Sequence, residues 1–437
     1  MTMLRKLLKN FDKKLYFNQL SLSTRLFCNQ SNVPLTESKR PAIVLGIETS
    51  CDDTGCAIVN STGTILGESL HSQLQFHNKC GGINPPIAQE FHRKHIEPVV
   101  TESLSRANLS VNDVDAIAVA SRPGLTMSLV VGVRYAKHLA RKYRKPLIPI
   151  HHMEAHALMA RLENQSKLNF PFLCLLASGG HCLLAMVKSV NDFSLLGEAT
   201  DGSPGECFDK AARVIGLTNL PEYSESSGGR AIELEAYKAT NADRFVFPSP
   251  LNDGRNCQFS FSGLKSAAIT TVQDLQKSAQ IEPDQLIPHH EDFCAGFLKA
   301  TTKHIMRKTQ RAIQYCERKG FFGFGANTKP RSLVFSGGVG CNDFIFRALS
   351  EMASEFGYKT FRPPKRLCTD NGVMIAWNGI ERWIDNDQVY RELDIDSVTP
   401  LDRQPFRTNL VEDVERKNIQ CTWIKVPSMQ SNRLVMT

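Results

Sequence analysis

One arrangement of residues occurs twice in this chain and narrows the folds open to it. Residues 42–47 form an apolar run that ends in the polar turn Glu48-Thr49-Ser50-Cys51-Asp52-Asp53-Thr54-Gly55, and a second apolar run follows at 56–59. Further on, the run 115–120 breaks at Ser121-Arg122-Pro123-Gly124 and continues with helical spacing over 126–143. The same order returns later. A run at 172–177 meets the turn Ser178-Gly179-Gly180-His181 and a return run at 182–187; the run 332–335 then meets Ser336-Gly337-Gly338-Val339-Gly340 and a helical stretch over 342–356. Runs this short and this continuously apolar predict strands buried on both faces, and the repetition predicts two copies of one α/β unit. The lobes are expected over 41–165 and 170–385, with four polar turns facing one cleft, the usual place for a ligand between lobes. No G-x-G-x-x-G follows a strand and no Walker A sequence occurs, which argues against a Rossmann dinucleotide site and a P-loop.

Between these landmarks the pattern predicts a third strand over 64–70, a polar loop over 71–84 and a helix over 86–104. Segments 218–227 and 321–330 read as surface insertions, and 386–437 as a polar C-terminal tail. With 437 residues, 42% of them hydrophobic, the chain can bury more than one core. No run approaches the length needed to span a bilayer, so no membrane association is expected. Thirteen cysteines occur without a C-x-x-C pair, and Cys174, Cys182, Cys207, Cys294 and Cys341 sit in apolar or glycine-rich surroundings. That usage favours reduced thiols in an intracellular compartment over a disulfide framework.

Charge is concentrated at one end. Residues 1–40 hold eight basic against two acidic residues, a net +6 of the chain's +8, so the remainder carries only +2. Leu4, Leu7, Leu8, Phe11 and Leu15 share a helical face among those basic residues, with Ser21, Ser23 and Thr24 following. Residues 1–35 therefore read as a mitochondrial presequence, the alternative being a basic arm that binds nucleic acid or membrane. In the body, the basic cluster at 137–145 reads either as a solvated helix end complementing the helix dipole or as a face for a polyanion, and 359–366 is a second local patch where a polyanion can dock.

Candidate chemistry centres on His152-Met153-Glu154-Ala155-His156. If the run 146–150 is a strand feeding a helix, the two imidazoles lie on one helical face and can share a cation; otherwise they are helix-terminal histidines bonded to solvent and backbone. Glu154 sits between them, not directly after the first as in H-E-x-x-H, so it is poorly placed as a metalloprotease base. Asp370, ahead of Asn371-Gly372 and a helix over 373–383, reads either as a helix cap or as a carboxylate completing a His, His, Asp set. The glycine turn at 121–124, before a helix, is an anion site that Arg122 would reinforce. Asp209 and Lys210, entering another helix, can hold a ribose or a substrate amine, or pair with neighbours.

Nine ordered motifs, GIETSCDDTG at 46–55, GGINPP at 81–86, RPGL at 122–125, HHMEAH at 151–156, SGGH at 178–181, GECFDK at 205–210, FSFSGLK at 259–265, SGGVGCN at 336–342 and CTDNGVMIAW at 368–377, resemble the tRNA N6-adenosine threonylcarbamoyltransferases, once labelled O-sialoglycoprotein endopeptidases. The resemblance runs from about 43 to 385, and the RPGL and HHMEAH forms resemble the organellar branch. It implies an actin/Hsp70/sugar-kinase type fold, two ribonuclease-H-like lobes around a nucleotide cleft. It also implies transfer of threonylcarbamoyl from threonylcarbamoyl-adenylate to N6 of the adenosine 3′ of the anticodon in tRNAs reading codons that begin with A, in the mitochondrial matrix, by a homodimer. On the matching positions, His152, His156 and Asp370 would hold one iron or zinc ion per subunit, and Leu176, Ala177, Ser178, Gly179, Gly180, Asp209, Gly229 and Asn342 would contact the adenylate. With Asp370 expected in the second lobe, the metal would sit across the cleft and tie lobe closure to substrate binding. Departures from the family pattern are Asp53, Arg122, Gly340-Cys341 and the interruption at 222–227 ahead of Gly229. The rival readings are an ATP-dependent small-metabolite kinase of the same fold and a zinc metallopeptidase.

Overall fold

The computed structural model describes residues 40–80, 82–223, 226–251, 254–282, 285–325 and 328–429; the basic segment 1–35 lies outside them. The first sheet holds β1 (Ile43–Glu48), β2 (Asp53–Asn60), β3 (Ile65–Ser72), β4 (Ala116–Arg122) and β5 (Leu147–His151) in the order β3-β2-β1-β4-β5. β1 pairs antiparallel with β2 and parallel with β4. The second sheet repeats that plan. β6 (Phe172–Ala177), β7 (Cys182–Ser189), β8 (Asp192–Glu198), β9 (Ser332–Ser336), β10 (Lys359–Phe361) and β11 (Thr408–Asn409) run β10-β9-β6-β7-β8-β11, with β6 antiparallel to β7 and parallel to β9. Two copies of one mixed sheet, each with helices packed against it, are the expected two-lobed actin/Hsp70/sugar-kinase type fold.

Alternation along the strands explains why each sheet carries two cores. On the first, Val44, Ala118 and Ile148 face one way, while Leu45, Ile117 and Leu147 face the other. The second group packs on α2 (Pro85–Ala107), which follows the short α1 (Leu74–Lys79), and on α3 (Thr126–Tyr143). On the second sheet Leu173 and Leu175 face α5 (Pro204–Val214), α6 (Gly228–Ala236), α7 (Ser262–Ala279), α8 (His290–Lys319) and α9 (Asp343–Ser354).

The opposite face of the second sheet, lined by Phe172, Cys174 and Leu176, receives α4 (His152–Leu158) through Met153 and Ala157. Ala155, on the same helix, packs into the first sheet's core instead. α4 is therefore wedged between the lobes, with apolar contacts to both.

The division expected near residue 385 differs from the packing. α10 (Gly372–Arg391) lies on the first sheet, where Val373, Trp377 and Ile380 meet Val44, Ala57, Ala118 and Ile148. The approach is close enough to require glycine: a Cβ on Gly46 would stand 2.2 Å from the Ala376 nitrogen, and one on Gly372 would stand 2.3 Å from the Cys56 carbonyl carbon. Two ion pairs, Arg382 with Glu154 and Arg161 with Glu381 (2.7 Å), clamp α10 to α4 and the turn after it. The C-terminal tail is also structured. Residues 401–406 cross the ends of β4 and β5, β11 adds an edge to the second sheet, and α11 (Val411–Arg416) follows. The two insertions each carry a buried aromatic anchor, Tyr223 and Phe322. Cysteines among the described residues are free thiols.

Candidate active site

The histidine pair sits where β5 passes into α4. One helical turn separates the residues, so the rings share a face and meet edge to face at 4.7 Å. Asp370 lies just ahead of α10. The cap of that helix is Asn371, whose side chain accepts from the Met374 N–H at 2.9 Å. Asp370 is thereby released from capping, and its Oδ1 stands 3.0 Å from His156 Nε2 and 3.5 Å from His152 Nε2. Since α10 belongs to the first sheet, the expected placement of Asp370 across the cleft is corrected: this carboxylate and both histidines are held by elements packed on the first sheet.

Glu48 completes the centre, and sequence reasoning missed its role. It ends β1, is fully buried, and places Oε2 3.0 Å from His152 Nδ1, with Ser50 Oγ at 3.1 Å from the same nitrogen. The Ser50 N–H donates to the Glu48 carboxylate. With Nδ1 so engaged, Nε2 is the nitrogen left to bind a ligand, the usual carboxylate–histidine arrangement behind a metal. The signal lay in the polar turn after β1, but a partner 104 residues away is not visible in spacing.

The electrostatics favour a cation. Burial by itself lowers the His152 imidazole pKa, yet Glu48 and then Asp370 outweigh it and raise it to about 10. Burial opposes ionisation of Asp370, but His152 and His156 hold it well below the usual carboxylate range. Asp53 is pushed up to about 8, by burial first and then by Asp52. Burial, and then Asp370, also raises Asp52. Carboxylates crowded this way are relieved by positive charge.

The residues fit a divalent metal. Their three ligand atoms lie within 4.8 Å of one another, the histidines buried and Asp370 partly so. Two imidazoles and a carboxylate, with no thiolate, suit iron or zinc. A second cluster, Glu235, His290 and Glu291, has the same spacing. There Lys238 already neutralises Glu235 at 2.6 Å, so a cation has little to gain.

The candidate adenylate contacts gather on the second lobe. Ala177 ends β6, and Gly179 and Gly180 open onto free space. Leu176 is buried on the α4 side. The Gly205 N–H, opening α5, donates to the Ser178 carbonyl at 3.1 Å. Asp209, its pKa raised by burial, accepts from the Gly228 N–H at 2.8 Å, next to Gly229 at the start of α6. Asn342 caps α9 through its Oδ1, while its Nδ2 is buried with no hydrogen-bond partner among the described residues. Glu233 on α6 accepts from the Asp343 N–H at 2.7 Å and joins these helix starts. The Ser336 hydroxyl donates to the His156 carbonyl at 2.7 Å, linking the second glycine turn to the metal-ligand helix.

The anion site expected at 121–124 is not free at its backbone. The Gly124 N–H donates to the Asp402 carbonyl and the Leu125 N–H to the Ser50 carbonyl. Glu154 is committed to Arg382, and no described helix is long and apolar enough to cross a membrane.

The family model described as tRNA N6-adenosine threonylcarbamoyltransferase matches residues 64–377. A Drosophila melanogaster relative, named a probable mitochondrial tRNA N6-adenosine threonylcarbamoyltransferase, is 46% identical over 89% of this chain and 94% of its own. A Rattus norvegicus relative named as the mitochondrial enzyme is 47% identical over 82% of this chain and 85% of its own. A Rhizobium meliloti tRNA N6-adenosine threonylcarbamoyltransferase is 40% identical over 78% and 89%. With matches of this extent, the chain belongs to the tRNA N6-adenosine threonylcarbamoyltransferase family.

Proposed function

We propose that this protein transfers the threonylcarbamoyl group from threonylcarbamoyl-adenylate to N6 of the adenosine 3′ of the anticodon, in mitochondrial tRNAs reading codons that begin with A. It acts in the matrix, as a homodimer carrying one iron or zinc ion per subunit. The observation that carries this reading is the cluster in which buried His152 and His156, on a helix packed against both lobes, meet the partly buried Asp370 ahead of α10.

In the reaction the N6–carbonyl bond forms, the carbonyl–phosphate oxygen bond breaks, AMP leaves with the bonding pair, and N6 gives up one proton. The acyl phosphate is already activated, so positioning supplies much of the acceleration. Asp209, with Gly229 beside it, receives the adenylate ribose, the Asn342 amide donates to the adenylate, and the turn from Leu176 to Gly180 admits the phosphate. His152, His156 and Asp370 would hold the metal, with Glu48 fixing the His152 ring. When bound, that ion supplies Lewis-acid polarisation of a phosphate or carbonyl oxygen.

Family membership and the commitment of Glu154 to Arg382 favour this reading over a kinase or a peptidase. The test is nucleoside analysis of mitochondrial tRNA from cells lacking the chain. Wild-type rescue is expected to restore threonylcarbamoyladenosine, and His152→Ala to leave it at least tenfold lower. Full restoration by His152→Ala would sink the reading.

A further inference from the structure

The two basic patches expected to face RNA are mostly engaged. Arg141 pairs with Asp396, whose carbonyl also accepts from Lys137 at 3.1 Å, and Lys145 donates to the Asn112 carbonyl at 2.6 Å. Arg362 and Lys365 share Asp343, and Arg366 pairs with Glu68. Lys142 and Arg144 form no ion pair among the described residues, but they lie at the end of α3, about 27 Å along that 18-residue helix from the β4 end where it begins.

Close to the metal ligands the balance is different. Arg122 ends β4 and is in register with His151, the residue before His152. The C-terminal strap lies directly over this point: the Leu401 N–H donates to the Ser121 carbonyl at 2.9 Å, and His151 donates to the Gln404 carbonyl at 3.0 Å. Phe406 anchors the strap against the rings of His151 and Phe193, 5.4 and 5.3 Å away, and leaves Arg407 exposed beside it. The carboxylate of Glu154 is taken by Arg382. Among the described residues neither Arg122 nor Arg407 forms an ion pair, and Asp402 pairs with neither. Burial, and then Arg382 and Arg407, hold the Arg122 guanidinium below the usual arginine range, against the pull of Glu154. Arg122 and Arg407 thus stand at the carboxyl ends of the strands that present the metal ligands, neither in an ion pair among the described residues, with the nearby Glu154 already taken by Arg382.

We infer that Arg122 and Arg407 form a cradle for the phosphodiester backbone of the RNA beside the acceptor adenosine. The inference rests on the proposed function and names the surface where that substrate docks. A phosphodiester accounts for the placement better than a small carboxylate does, because Arg407 lies on an exposed strap whereas the candidate adenylate contacts are on the second lobe. Guanidinium forks bind phosphate oxygens in two places at once, so lysine replaces them poorly.

The test uses the full chain with Arg122→Gln, Arg407→Gln and the double variant, an anticodon stem-loop RNA as probe, and fluorescence anisotropy between about 50 and 200 mM salt. Each single variant is expected to weaken RNA binding roughly 3- to 10-fold. The double variant should reduce the slope of log affinity against log salt by about 1.4, two contacts at about 0.7 each for single-stranded nucleic acid. KM for threonylcarbamoyl-adenylate should stay within about twofold, and Lys137→Gln and Lys365→Gln should leave the slope at its wild-type value. An unchanged slope in the double variant, with wild-type protein still modifying tRNA, overturns this inference alone. A raised adenylate KM with unchanged RNA affinity also overturns it and assigns Arg122 to the small substrate. Wild-type protein that neither binds the stem-loop nor modifies tRNA overturns the parent reading with it.

Discussion

Replacing Gly46 with alanine tests whether α10 sets the metal centre. The new Cβ would stand 2.2 Å from the Ala376 nitrogen and 2.7 Å from the Gly372 oxygen, and both are backbone atoms that no rotamer change can move aside. An ordinary contact starts near 3.4 Å, so the helix has to retreat by about 1.2 Å, or β1 has to bow by as much. Overpacking of this kind costs about 1–3 kcal/mol. For a folded unit of roughly 400 residues the unfolding entropy is about 0.8 kcal/mol per degree, so Tm falls only a few degrees. The metal centre is far more sensitive. Asp370 rides at the start of α10, and coordination tolerates shifts of about 0.2 Å, so a displacement several times larger should lower metal affinity at least 10-fold. The assay pairs thermal unfolding with metal content per chain after dialysis against a graded chelator. Gly263→Ala is the control, since its Cβ would meet nothing nearer than 4.0 Å. A Gly46→Ala protein with wild-type Tm and wild-type metal retention would refute the close docking of α10 and its control of Asp370.

Two further predictions concern charge. Glu48→Gln keeps the shape of the residue behind His152 but removes its charge, and should weaken metal binding by about 10- to 100-fold with little change in far-UV circular dichroism; retention equal to wild type would remove Glu48 from the centre. His304 is buried, its Nε2 accepting from the Ser260 N–H at 3.2 Å, and burial, then Lys308, pushes its imidazole down to about 3 from an unfolded value near 6.5. Because the folded value is depressed, this histidine's contribution to stability is complete above pH 6.5 and declines as the pH falls toward 3, while the unfolded chain alone takes up the proton. Between pH 7 and 5 wild type should lose about 2 kcal/mol more than His304→Gln in urea unfolding. Equal losses would show that His304 is not kept neutral by the fold.

What could be read from the residues, and what could not, divides along a physical line. Strands and helices declare themselves through local apolar runs and caps, so the bounds expected for α3 coincide with those observed, and the histidines of α4 share a face as their spacing required. The lobe to which α10 belongs is decided by the backbone approach of Gly46 to Ala376, over 300 residues apart, and nothing in a helix that follows the second lobe's strands announces it. The same holds for Glu48. Its turn is legible as one of the polar turns facing the cleft, but its partner His152 is fixed only once β1, β4 and β5 lie side by side. Asp370 was ambiguous between cap and ligand until Asn371 took the cap. The strap near Arg407 carries one buried aromatic, Phe406, too little pattern to separate it from a polar tail.

The wedge position of α4 has a thermodynamic consequence. Met153 and Ala157 are packed into one sheet, Ala155 into the other, and the His156 carbonyl receives a hydroxyl from the second lobe's glycine turn. A close-packed helix does not stretch, so a rocking of the lobes has to roll α4 or shear one of its faces, and either motion turns the imidazoles. For the substrate and ion of the proposed function, the two occupancies would then be coupled equilibria. By reciprocity, the factor by which the adenylate would tighten the ion is the factor by which the ion would tighten the adenylate.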